Sequence, residues 1–149
     1  MKIYIDADAC PKAVKEILYR AADKRKVSLV LVANSYLIVP ESEFITTIEV
    51  GAGADIADEK IVELTEQGDL VITADIPLAD HVVTKGGLAL NPRGELYTKQ
   101  NIKHHLAMRD FMTEMRTMGH EGGGPPAFNN KDKVAFANNL DKFLTKYFS

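Results

Sequence analysis

The sequence predicts an α/β fold built on a mainly parallel sheet with helices on both faces and helical additions at its C-terminus. Three observations predict it. Short apolar runs alternate with helix-patterned stretches over roughly the first ninety residues. Two of those runs, Ile3–Ile5 and Leu70–Ile72, carry no charge at all, as expected of strands covered on both faces. Each run is followed directly by an aspartate-bearing segment, and in open parallel sheets ligands bind beyond the carboxyl ends of the strands.

Lys2–Asp6 reads as the first strand. Pro11 stands where a helix begins, and Ala13, Val14, Ile17, Leu18 and Ala21 then recur at helical spacing. Lys24, Arg25 and Lys26 close that helix at the negative end of its dipole. Val27–Ala33 and Ile45–Val50 are the second and third strands. A second helix starts at Asp55, with Ile56, Ile61 and Leu64 on its apolar side and Asp55, Asp58, Glu59 and Glu66 opposite. Gly68 stops it before the fourth strand, Leu70–Thr73. Pro77–Val83 is a short helix, and Leu88–Leu90 the last strand. Asn91-Pro92-Arg93-Gly94 suits a type I turn. Tyr97–Met118 is helical in pattern, its methionine stripe reading as core filler. Gly122–Pro126 reads as a loop, and Phe136, Leu140, Phe143, Leu144 and Tyr147 mark a final amphipathic helix.

With 149 residues, 46% of them hydrophobic and 26% charged, the chain has the size and composition of one globular domain, residues 1–149. A single cysteine excludes an intramolecular disulfide. No apolar run approaches the ~20 residues of a membrane span. MKIYIDADAC is not patterned as a signal peptide. A cytoplasmic protein without a membrane partner is therefore expected.

The net charge of −3 conceals an asymmetry. Residues 1–40 carry 7 Lys/Arg against 4 Asp/Glu, residues 41–80 carry 1 against 11, and residues 81–149 carry 10 against 6. Solvated helix faces account for part of the acidic excess. An acidic centre between basic flanks also suits a metal-dependent enzyme acting on a polyanion.

Asp6 ends the first strand and Asp75 follows the fourth, so both can reach the crevice above the sheet. Asp8 either joins them or caps the following helix. Asp55 and Asp58 lie three apart on one helix face, where capping and ligation are both open to them. Asp80 follows Asp75 by five residues. Converging carboxylates repel unless a proton or cation intervenes, and an all-oxygen set suits Mg²⁺ or Mn²⁺. Zinc lacks a ligand motif here, since His104 and His105 are adjacent and diverge on a helix. Cys10 reads as packing, because Glu16 occupies the place of the arginine in a C-x5-R phosphate loop. Asp6-x-Asp8 also matches the opening of haloacid-dehalogenase-type phosphatases, but Thr73, Asp75 and Asp80 are too crowded for the later motifs of that family. The Gly122–Pro126 loop lacks the G-K-[ST] ending of a P-loop; as a functional element it would line the crevice mouth with Arg93.

Taken as a set, D-A-D-A-C-P at 6–11, G-A-D-I-A-D at 53–58, T-A-D-I-P-L-A at 73–79, N-P-R-G at 91–94 and the late G-P-P-A-F…K-D-K…F resemble the YaiI/YqxD family of uncharacterised bacterial proteins. That family in turn resembles the PIN-type nuclease superfamily. The resemblance implies a PIN-like three-layer sandwich and a Mg²⁺- or Mn²⁺-dependent nuclease acting on RNA or another phosphate-containing substrate. It implies catalytic roles for Asp6, Asp75 and either Asp55 or Asp58. The early-helix Glu of the PIN pattern has no secure match, Glu16 being too close to the first strand. Lys12, Arg93, Lys99 and Lys103 are the candidates for contacts to a nucleic-acid backbone. The alternatives are a non-catalytic RNA- or nucleotide-binding module and a small-molecule phosphatase. The number of metal ions and the oligomeric state stay open.

Overall fold

Along β1 (Lys2–Asp6) the side chains of Ile3 and Ile5 enter one core and that of Tyr4 enters another, because successive strand side chains point to opposite faces. β2 (Ser28–Ala33) divides in the same way, Leu29 and Leu31 joining Ile3, Val30 and Val32 joining Tyr4. The computed structural model describes residues 1–53, 55–119 and 127–148. The Gly122–Pro126 loop expected from the sequence lies outside them.

Each core is closed by helices. Val14, Ile17, Leu18 and Ala22 of α1 (Lys12–Arg25) cover the first face together with Phe136, Leu140, Phe143 and Leu144 of α5 (Asn130–Tyr147). The second face is covered by Ala57 and Ile61 of α2 (Ile56–Leu64), by Leu78, Ala79, Val82 and Val83 of α3 (Ile76–Thr84), and by Ile102 at the start of α4 (Ile102–Thr117). The result is a three-layer α/β sandwich.

Between the helices lies one sheet that also contains β3 (Ile45–Glu49), β4 (Leu70–Ile72), β5 (Leu88–Leu90) and β6 (Leu96–Tyr97), in the order β3-β2-β1-β4-β5-β6. The first five strands are parallel, and β6 runs antiparallel to β5. The chain travels outward from β1 to β3, then returns to place β4 on the other side of β1. Ile5 of β1 pairs with Leu31 on one side and Ile72 on the other. The order of strands therefore reverses between β1 and β4. At that point adjacent loops diverge to opposite faces and leave a crevice.

Two expectations are corrected. The stretch from Tyr97 is not helical at its start. Asn91 accepts a 2.8 Å hydrogen bond from the Gly94 amide, and the turn so closed returns the chain as β6 against β5. Thr98 and Asn101 then exchange side-chain and backbone hydrogen bonds of 2.8 and 3.1 Å, holding the bend before α4. The methionine stripe is not core filler either. Met108, Phe111, Met112 and Met118 are 37–67% exposed. Only Ile102 of α4 is buried, because the helix packs against the sandwich by its first turn. No helix among the described residues is long and apolar enough to cross a membrane.

Candidate functional site

Asp6 ends β1 and Thr73 directly follows β4, at the point where the strand order reverses. The Thr73 side chain is buried, and its hydroxyl accepts a 2.9 Å hydrogen bond from the Asp75 amide. Asp75 then caps α3, its Oδ1 accepting from the Leu78 amide over 2.9 Å. The T-A-D sequence thus turns the chain from strand to helix and fixes the Asp75 carboxylate at the crevice. Asp6 Oδ1 accepts from the Asp8 amide over 3.1 Å, which orients it similarly.

The third acid comes from α2. Asp55 holds the N-cap position, but its side chain makes no capping bond. Asp58, one turn on, reaches the strand ends. Asp6, Asp58 and Asp75 line a crevice of about 240 Å³, floored by Ile72 and Thr73 and walled by Cys10 and Pro92. A neighbouring cavity of about 460 Å³ shares Asp58 and Asp75 and adds Asp55, Glu59, His81 and Arg109. Of the two acids that the sequence left undecided, Asp58 is thus common to both hollows and Asp55 borders only the wider one.

Proximity sets the electrostatics. Burial, the Asp75 charge and a hydrogen bond to the Asp75 side chain push the Asp58 carboxyl up to about 6, with smaller contributions from Asp6 and Asp55. Burial also raises Asp6, and the Asp8 and Asp75 charges act in the same sense against hydrogen bonds from the Asp8 and Ala9 amides. Two of the three acids therefore carry protons more readily than free aspartate. Burial pushes the Cys10 thiol up to about 12, so it is a packed side chain rather than a nucleophile. Among the described residues no three His, Cys, Asp or Glu side chains are arranged to hold one ion.

The remaining acids named from the sequence lie elsewhere. Asp8 neither lines the crevice nor caps α1; its Oδ2 accepts a 2.7 Å hydrogen bond from the Asn34 amide at the end of β2. Asp80 faces α4, 3.5 Å from Lys103 Nζ.

The basic residues named from the sequence sit on several elements. Lys12 opens α1 and Lys99 lies in the bend before α4, both exposed. Arg93 Nη1 donates to Asp132 Oδ2 over 2.7 Å, and its guanidinium lies 6.0 Å from the centre of the Phe128 ring. Asp132 also completes a capping box with Asn129 at the start of α5, and Asn139 donates to the Gly94 carbonyl over 2.7 Å. The N-P-R-G and K-D-K…F motifs are therefore the two halves of one docking contact between turn and helix. Gly94 sits at φ +96, and a Cβ there would come within 2.8 Å of Asn139 Nδ2 and 2.9 Å of the Ala135 carbonyl. Glycine is required at that place.

Arg109 and His81 border the wider cavity and were not named from the sequence. Arg109 gets there because α4 crosses α3, and nothing in its own neighbourhood of the chain marks it.

Residues 4–146 match the family described as Uncharacterized BCR, YaiI/YqxD family. The chain is 62% identical over 146 residues to a UPF0178 protein of Maridesulfovibrio salexigens, covering 98% of this chain and 97% of the relative. It is 58% identical to a UPF0178 protein of Shewanella halifaxensis and 55% identical to one of Colwellia psychrerythraea, each over 99% of this chain and 97% of the relative. No solved structure gives a significant match. On the family match and the full-length identity to these relatives, the chain belongs to the YaiI/YqxD family.

Proposed function

We propose that this protein is a PIN-like, divalent-cation-dependent nuclease that hydrolyses phosphodiester bonds in RNA. The observation that carries the reading is the meeting of Asp6, Asp58 and Asp75 in one crevice at the switch point of a mainly parallel sheet. The likeness to PIN-type nucleases is part of the proposal. Its support is the same arrangement, with acids after β1 and β4 and a third on a helix.

The candidate donor set is the carboxylates of Asp6, Asp58 and Asp75. Its oxygens suit Mg²⁺ or Mn²⁺. Asp75 is the acid that acts most strongly on Asp58, and Asp6 lines the same crevice, but among the described residues the three do not form a closed three-ligand cage. Mg²⁺ keeps several waters and is commonly held by one or two carboxylates plus substrate phosphates. The residues present fit such a hydrated ion: Asp6, Asp58 and Asp75 would hold it. When bound, the cation would activate a water and neutralise charge on the phosphate oxygens. The chain itself supplies placement. Thr73 and the α3 cap hold Asp75, backbone amides hold Asp6, and α2 brings Asp58 to both.

A second reading, a non-catalytic RNA- or nucleotide-binding module, is favoured by the lack of a three-ligand set among the described residues and by Glu16 being exposed on α1 and absent from the crevice lining. One experiment separates the readings. With Mn²⁺, the protein should cleave fluorescent single-stranded RNA, and Asp6→Asn with Asp75→Asn should abolish cleavage while the circular dichroism spectrum is kept. RNA binding that weakens with salt, without metal-dependent cleavage, identifies the binding module. Phosphate release from nucleotides or sugar phosphates with RNA untouched identifies a phosphatase.

A further inference from the structure

We propose that the cavity of about 460 Å³ beside the carboxylate pair is a recognition pocket for one nucleotide unit carrying an amino-bearing base, with Arg109 as its phosphate anchor. The inference rests on the reading above for the identity of the reacting centre, and it assigns the adjoining volume a separate role.

Size and lining support it. Ligand pockets occupy roughly 300–1,000 Å³ and combine an apolar wall with a few polar groups. Here Val62, Pro77 and Leu78 form the apolar wall, and Asp58 and Asp75 stand where the cavity meets the narrower crevice. A ligand seated on that wall would therefore have one end at the reacting centre.

Charge narrows the ligand. Arg109 is the one Lys or Arg among the described residues bordering this cavity. Its ion pair with neighbouring Asp110 is 3.5 Å long, and both side chains are about half exposed or more. Such a surface pair holds the guanidinium only weakly, leaving it able to take a phosphate in fork geometry. Asp55, the N-cap of α2, and Glu59, on its first turn, border the same cavity. A bare anion would be repelled by them. A nucleotide is polar in the matching sense: its phosphate suits Arg109, its ring suits the apolar wall, and an exocyclic amine donates to a carboxylate, as cytosine N4 does to Glu or Asp. Uracil offers no such amine.

The test is binding of cytidine monophosphate and uridine monophosphate to the full chain in Mg²⁺, by calorimetry and by methyl shifts of Val62 and Leu78. The cytidine nucleotide should bind more tightly. Arg109→Gln should weaken it about tenfold or more, the loss expected for one charge-assisted hydrogen bond, with Arg109→Lys recovering part. Glu59→Gln should reduce the preference for cytidine over uridine. In RNA cleavage, Arg109→Gln should raise KM and leave kcat near wild type. Nucleotide binding through Arg109 in a protein that cleaves no RNA supports the pocket and overturns the nuclease reading. Cleavage with KM unchanged in Arg109→Gln, or methyl shifts absent at millimolar nucleotide, overturns the pocket and leaves the nuclease reading standing.

Discussion

Asp58 and Asp75 line the same two hollows, although one rides on α2 and the other caps α3. Burial and the neighbouring Asp75 charge hold the Asp58 carboxyl protonated up to about 6. The pair lies beside Asp6, so ionising it places three negative charges around one crevice.

Stability should therefore fall as Asp58 ionises. The folded state holds the Asp58 proton up to about pH 6, whereas the unfolded chain releases it near 3.8. The folded state thus binds more protons in that window, and the contribution present below it is lost as pH rises through 6. The raised Asp6 acts in the same sense. Asp58→Asn should raise the thermal midpoint relative to wild type at pH 7.5 and change it little at pH 4. An equal effect at both pH values would dissociate Asp58 from the titration.

Divalent cations should relieve the same repulsion. At 100 times its Kd, a cation adds about 2.7 kcal/mol, or roughly 5–10 °C in midpoint for a chain of this size. The gain should be larger at pH 7.5 than at pH 5, where protons compete. Asp6→Asn and Asp75→Asn should each reduce it. Asp141→Asn should not, because Asp141 lies on α5 paired with Arg25. Differential scanning fluorimetry with Mn²⁺ reads all of this, and an undiminished response in both crevice variants would place the cation elsewhere.

Docking of the 91–94 turn on α5 should show as stability. Asp132→Ala removes a capping-box partner and the Arg93 ion pair, and should cost about 1–2 kcal/mol. Gly94→Ala should cost more than about 1 kcal/mol, since both its positive φ and its contact with α5 disfavour a side chain. Urea unfolding of Arg93→Ala, Asp132→Ala and the double variant should give a nonzero coupling. Additive losses would mean that the two side chains act independently.

Substitutions on the two C-terminal helices should differ sharply. Phe136 is fully buried, so Phe136→Ala should cost about 3–5 kcal/mol. Phe111 is 52% exposed on α4, and Phe111→Ser should stay within about 0.5 kcal/mol of wild type. A large loss at Phe111 would mean that α4 is covered in solution.

Local pattern determined much of this protein. The charge-free runs of β1 and β4, the periodic faces of α1, α2 and α5, and the placing of Asp6 and Asp75 after parallel strands were legible because period and burial act over a few residues. Three features needed the tertiary structure. β6 is two residues long and exists through its pairing with β5. The exposure of the methionine face depended on where α4 leaves the sandwich, which its own periodicity cannot encode. The choice of Asp58 over Asp55 as the partner of Asp75, and the arrival of Arg109 beside them, depended on how α2 and α4 pack against α3. Sequence periodicity says which face of a helix is apolar; whether that face is buried, and what it meets, is set by the packing of the whole second core.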